Sequence, residues 1–229
     1  MTRILYLSRN IQRICSIKNE AEKVLFTSCC FSIFLSVVRV LHTGKITFLS
    51  LCWNLLLAFV PFFMSRLMTR NFVHIQNKWL FSVLFVVWLL FVPNSFYIIT
   101  DLFHLSEWHA TPLWFDLLLI MSFAWNGLLL GILSIRHIEK MINVLWSVKN
   151  DWVLIYPIMF LNALGIYIGR YWRYNSWDII SNPFELIRDI YRIIYHPVQN
   201  KEVWLMVAGW SIFLSLLYAG LKKMSREVE

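Results

Sequence analysis

Apolar positions along this chain do not recur every second residue, nor every third or fourth between polar ones. They gather in six long blocks, at residues 24–42, 46–64, 79–98, 113–135, 152–169 and 203–221. A helix rising about 1.5 Å per residue needs about 20 mostly apolar residues to cross about 30 Å of hydrocarbon, and each block is near that length. The pattern predicts an all-α, polytopic transmembrane helix bundle with six transmembrane helices. The first two blocks are joined by Thr43-Gly44-Lys45, a tight turn that predicts a helical hairpin. Between the fifth and sixth blocks the period changes. Asn182-Pro183-Phe184-Glu185 offers a cap, a proline in the first turn and an acid near the N-terminus. From there Glu185, Arg188, Asp189, Arg192 and His196 form a polar stripe, with Phe184, Ile187, Ile190, Tyr191 and Ile194 opposite. The expectation is an amphipathic helix over about 183–195, lying on the outer membrane face and ended by His196-Pro197.

Composition agrees with a lipid solvent. Hydrophobic residues make up 59% of the chain and charged residues only 15%, against about 25% charged in an average soluble domain. Trp, Tyr and Phe are abundant, as suits membrane interfaces. The net charge of +8 does not point to nucleic acid, because the basic residues sit between the apolar blocks. Arg3, Arg9, Arg13, Lys18 and Lys23 precede the first block. Arg66, Arg70 and Lys78 flank the second loop, Arg136, Lys140 and Lys149 the fourth, and Lys222, Lys223 and Arg226 the tail. By the positive-inside rule both termini are cytoplasmic. The fifth loop is also basic, but Asp178, Glu185, Asp189 and Glu202 are interleaved there. The resulting division is a basic cytoplasmic segment over 1–23, a six-helix transmembrane domain over 24–221 and a cytoplasmic tail over 222–229. The first block is long and lacks a small-residue cleavage site, so it reads as a retained helix rather than a signal peptide. The stretch before it, with Ile4, Leu5, Leu7, Ile11 and Ile14 among arginines, reads as a basic segment on the anionic cytoplasmic leaflet. Cys15, Cys29, Cys30 and Cys52 show no CxxC or Cys/His spacing, which excludes a disulfide framework and a zinc signature.

Ionisable groups near hydrocarbon cost several kcal/mol each, roughly 2.5 to 3.5 on insertion scales, so each calls for a reason. Here they concentrate at one level. If the third helix continues past Pro93, then Asn94, Tyr97, Asp101 and His104 share one face. The fourth helix starts at Thr111-Pro112 with Asp116 about one turn in. On the fifth, Asn162, Gly165, Gly169 and Arg173 fall along one stripe, followed by Asn175, Trp177 and Asp178. Three segments therefore deliver Asp101, His104, Asp116, Arg170, Arg173 and Asp178 to one water–lipid boundary, with Arg39 at similar depth and Glu107 nearby. Mutual pairing among these acids and bases is the ordinary expectation.

The run 92–105 (VPNSFYIITDLFHL) resembles the signature of the bacterial membrane-protein family known as domain of unknown function (DUF) family 1361. So do Pro112-Leu113-Trp114-Phe115-Asp116, the run from Gly165 to Arg170, and Asn175-Ser176-Trp177-Asp178. The likeness covers most of the chain beyond the basic N-terminal segment. Ser95-Phe96 departs from the Ala-Pro of the pattern, and without that second proline a less kinked helix end is expected. The resemblance implies a multi-pass protein of the bacterial inner membrane and no particular activity.

The candidate chemistry follows from residue type. Asp101, His104 and Asp178 could act as acid–base groups, with Asn94, Tyr97, Asp116, Arg170, Arg173, Asn175 and Trp177 as ligand-binding residues. Asp101, His104, His109, Asp116 and Asp178 include metal-ligand types, but Asp-x-x-His is a short spacing met by chance, and no metal or cofactor is expected. Asp116 could simply complement its helix N-terminus, and Arg170 and Arg173 could snorkel beside Tyr167, Tyr171, Trp172, Tyr174 and Trp177. Gly127-xxx-Gly131 and Gly165-xxx-Gly169 read as close-packing faces, and Asn54 and Asn126 as interhelical hydrogen-bond partners. No Gly-rich phosphate loop, GxSxG elbow or HExxH pattern is present. The leading expectation is a polar pocket at the extracytoplasmic face that binds or processes a lipid headgroup or envelope precursor. The alternatives are a small transporter or channel, with a polar path through Asn54 and Asn126, and a scaffold docking a protein partner through the glycine faces or the surface helix. Membrane lipids are the expected partners, and nucleic acid is not.

Overall fold

The computed structural model describes residues 19–70, 77–105, 111–146, 150–174 and 178–227; the basic segment ahead of residue 19 lies outside them. The described residues are helical with no strand. In chain order they form α1 (Asn19–Thr43), α2 (Leu49–Arg70), α3 (Lys78–Tyr97) continued by a 3-10 segment (Ile98–His104), α4 (Leu113–Trp146), α5 (Trp152–Tyr171), the short α6 (Asp178–Ser181), α7 (Pro183–Tyr195) and α8 (Lys201–Glu227). Six of them, α1 to α5 and α8, are long and apolar enough to cross a membrane. The chain is thus a multi-pass membrane protein with the all-α architecture that its apolar blocks predict. Outward-facing Phe26, Phe34, Trp53, Phe63, Trp114 and Leu205 are each more than half exposed, an arrangement costly in water and natural against lipid.

The chain falls into two compact units, Met1–Lys149 and Asn150–Glu229. In the first, α4 is the most enclosed span. Leu51, Leu55, Ala58 and Phe62 of α2 join Leu119, Ile120, Phe123, Ala124 and Leu130 of α4 in one core. Gly127 and Gly131 open a seat on α4. A methyl group on Gly127 would lie 2.5 Å from the Ser95 carbonyl oxygen, and one on Gly131 would lie 2.8 Å from the Phe96 ring. Only hydrogen fits there, which is the reason this small-xxx-small pair lets α3 and α4 approach so closely. Gly44, with φ of +64°, makes the turn between α1 and α2. The two helices it joins touch little, however, and α1 packs mainly on α4.

Two boundaries differ from the apolar pattern. α3 runs through Pro93 as a helix and tightens to 3-10 geometry at Ile98, so the period shortens from 3.6 to about 3 residues between Tyr97 and Asp101. α4 does not stop near residue 135 but continues to Trp146. Its extra turns are covered by neighbours, for His137 and Glu139 are buried.

In the second unit α5 and α8 pack along each other in opposite directions, the start of α5 being tied to the end of α8 by an ion pair between Asp151 and Lys222 at 2.7 Å. Ala163 of α5 and Val203 and Val207 of α8 form its core with Ile193 of α7, and Phe160 stacks on Trp204. Pro183 occupies the first turn of α7 and the helix ends before His196, as the capping signals predict; the Asn182 side chain, though, makes no capping bond.

Candidate functional site

Each unit carries polar residues at the ends of its helices. In the first, Arg39 near the end of α1 meets Asp116 in the first turn of α4. Arg39 Nε donates to Asp116 Oδ1 at 2.7 Å and Nη2 donates to Oδ2 at 3.2 Å. Both side chains are 1% exposed. The Phe48 ring at the start of α2 lies 4.0 Å from the guanidinium carbon, so a π face covers the plane of the cation. Three elements thus close on one bidentate pair. Buried this deeply, Asp116 serves here as the counter-ion of Arg39.

Asp101 stands differently. It lies in the 3-10 segment, half-buried, and its Oδ2 accepts a hydrogen bond from Asn54 Nδ2 of α2 at 3.2 Å. Asn94 donates to the Phe91 carbonyl of its own helix at 3.1 Å, and Tyr97 is half-buried. His104 closes the 3-10 segment; its side chain, like His109 and Glu107, lies outside the described residues. Asn126, fully buried, donates to Ser32 Oγ of α1 at 2.9 Å. The two asparagines therefore act as interhelical ties, in keeping with their expected role.

A second polar cluster in this unit is not among the residues singled out in the sequence. Trp88 Nε1 donates to Ser134 Oγ at 2.7 Å, which lies 2.8 Å from the Pro61 carbonyl and 3.1 Å from Ser65 Oγ. Ser65 Oγ in turn is 3.1 Å from His137 Nδ1. These groups link α2, α3 and α4 where the chain is flanked by Arg66, Arg70 and Arg136. A signal existed in the pairs Ser65/Thr69 and Ser134/His137 at helical spacing, but both sit at basic block ends that read as loop.

In the second unit, Arg170 lies in the last turn of α5 and is half-buried. The helix stops at Tyr171, Trp172 caps it, and Arg173 follows at φ +59° with its side chain exposed. Arg173 therefore leaves the stripe of Asn162, Gly165 and Gly169. This is the left-handed position that glycine usually fills after a helix, and a non-glycine residue there costs roughly 1–2 kcal/mol. Tyr167, Tyr171, Trp172 and Tyr174 make a chain of ring contacts around the two arginines' segment. Tyr174 donates its hydroxyl to Asp189 Oδ2 of α7 at 3.1 Å. Withdrawal from water raises the Tyr174 phenol above the ordinary tyrosine value, and the bond to Asp189 and that carboxylate's charge raise it further. Asp178 opens α6 and accepts from Ser181 Oγ at 3.0 Å. Asn175 and Trp177 lie outside the described residues. Among the described residues no cluster of three or more His, Cys, Asp or Glu is placed to hold a metal ion.

Among curated proteins and among solved structures nothing matches this chain. The pattern of one family, described as "Protein of unknown function (DUF1361)", matches residues 53–217. That span takes in α3 with its 3-10 end, the first turn of α4 and the arginine-bearing end of α5, so both the helical layout and the polar ends just described fall inside it. The chain belongs to the DUF1361 family of multi-pass membrane proteins.

Proposed function

We propose that this protein lies in the bacterial cytoplasmic membrane with both termini inside, and that Arg170 and Arg173 bind an anionic lipid headgroup or envelope precursor at the extracytoplasmic face. The observation that carries the reading is the backbone of Arg173. A costly left-handed conformation holds an exposed guanidinium just past a spanning helix, three residues from a second one. Strained, non-glycine positions of this kind persist where the surroundings and the use of the side chain maintain them. Guanidinium forks suit phosphate and carboxylate oxygens, and the neighbouring tyrosine and tryptophan rings suit the depth at which headgroups lie. The orientation rests on charge. Arg66, Arg70, Lys78, Lys222 and Lys223 gather at the helix ends away from Asp101 in the first unit and from Arg170 in the second. In this reading Asp178, which opens α6 in the same unit, is the group that would process a bound ligand.

The test is mass spectrometry of lipids and precursors retained by the protein purified in mild detergent. Charge-assisted hydrogen bonds contribute about 1.5–3 kcal/mol each, so Arg170→Ala/Arg173→Ala should reduce retention of an anionic species at least about tenfold while eluting like wild type. Asp178→Ala should retain the ligand unaltered if that carboxylate acts on it. Equal retention by the arginine double variant and wild type overturns the assignment.

A further inference from the structure

α7 has three faces where a simple amphipathic helix has two. Leu186 and Ile193 are buried and Ile190 is half-buried, with Ile193 in the core formed by α5 and α8. Phe184, Ile187, Tyr191 and Ile194 are 85%, 63%, 60% and 60% exposed, although every one is apolar or aromatic. Glu185, Arg188 and Arg192 are exposed and polar. At 3.6 residues per turn the centres of these three arcs lie roughly 120° apart.

A helix in contact with one surface needs only one apolar arc. Three arcs at this spacing suit a helix wedged in a corner, with protein against its side, an apolar medium beneath it and water above. The chain leaves little choice of corner. α7 joins two membrane-spanning helices on one side of the bilayer, and its 13 residues reach only about 20 Å, too short to cross. The apolar medium beneath it is then the leaflet itself.

The charges on the polar arc are sorted as well. Arg188 and Arg192 fall on the side of that arc bordering the exposed apolar face. Asp189 falls on the side bordering the protein, where it accepts the Tyr174 hydroxyl and lies 3.9 Å from Arg192. Cations thus line the edge that meets the headgroup layer, Glu185 stands behind them on the water side, and Asp189 turns toward the protein. We infer that α7 is an in-plane helix that docks on anionic phospholipid. Its Phe184, Ile187, Tyr191 and Ile194 enter the acyl boundary, and Arg188 and Arg192 contact phosphate. This surface does not depend on what Arg170 and Arg173 bind.

The test places a fluorescent non-canonical residue at position 194, or at position 185 as the water-facing control, in the full chain reconstituted in vesicles. Quenching is measured with nitroxide-labelled phosphatidylglycerol and with nitroxide-labelled phosphatidylcholine at equal mole fraction. Position 194 should be quenched by lipid and position 185 by an aqueous quencher. At 194 the anionic lipid should quench about fivefold more effectively, as one net positive charge, Arg188 and Arg192 against the exposed Glu185, would produce. Arg188→Gln/Arg192→Gln should bring the two lipids level, whereas Arg170→Ala/Arg173→Ala should leave the preference in place. Both arginines of α7 are exposed, so their replacement disturbs no core. Shielding of position 194 from lipid, by water or by a co-purifying polypeptide, overturns the proposal. So does an anionic preference that survives in the α7 double variant.

Discussion

A guanidinium and a carboxylate, each 1% exposed, hold α1 to α4 through two hydrogen bonds while an aromatic ring covers the cation. Such a pair is costly to bury and costlier to break, since removing one partner strands a charge at about 3–5 kcal/mol. Asp116→Ala should therefore lower thermal stability in detergent by an amount of that order, and Arg39→Ala likewise. Arg39→Met/Asp116→Leu, which removes both charges, should lie much closer to wild type. Equal losses in the single and double variants would mean that packing, not pairing, dominates the site. That these two residues need partners is legible in the sequence, because both interrupt apolar blocks. Which acid takes Arg39 is not, for 77 residues separate the pair and in the sequence Asp101 and Glu107 offer the same chemistry. Arg173 was harder still: the stripe through Asn162, Gly165 and Gly169 assumes an unbroken helix, and only the backbone shows that α5 ends two residues earlier.

At the scale of elements, the seat of α3 on α4 is made by absent side chains. Gly127→Ala sets a methyl against the Ser95 carbonyl and Gly131→Ala sets one against the Phe96 ring; each should cost about 1–3 kcal/mol, the usual penalty of overpacking. Gly209→Ala and Gly220→Ala on α8 meet nothing within 4 Å and should be neutral or slightly stabilising. Thermal melts of the four variants in one detergent check the contrast. The glycine spacing announced this contact, and the capping signals announced α7. The last turns of α4 were hidden for a physical reason: Arg136 and Lys140 mark a membrane exit in composition, yet a helix that leaves hydrocarbon does not have to unwind if other protein covers it. Ser65, Ser134 and Trp88 do so here around His137. The weak contact of α1 with α2 was hidden for a similar reason, since a tight turn sets proximity at one end only.

For the whole molecule, the distribution of basic residues makes a topological prediction. Single cysteines introduced at positions 45 and 174, in a background lacking the native four, should react with a membrane-impermeant maleimide on intact cells. Cysteines at 149 and 223 should react only after permeabilisation. Labelling of 174 only after permeabilisation would undo the extracytoplasmic placement on which the ligand proposal rests. The six spans themselves were legible from block length alone, because hydrocarbon thickness imposes a length that chance seldom reproduces.

One dimension of α4 has a mechanical result. Its 34 residues extend about 50 Å, while the oily layer is about 30 Å thick. The surplus is stiff, being braced around His137, and it cannot shorten when the bilayer thins. It can only lean. A pole fixed at its foot moves most at its tip, so a tilt too slight to disturb Arg39 or Gly127 would still carry Trp146 sideways. Bilayer thickness, a property of the surroundings, would thereby be written into the position of one helix end.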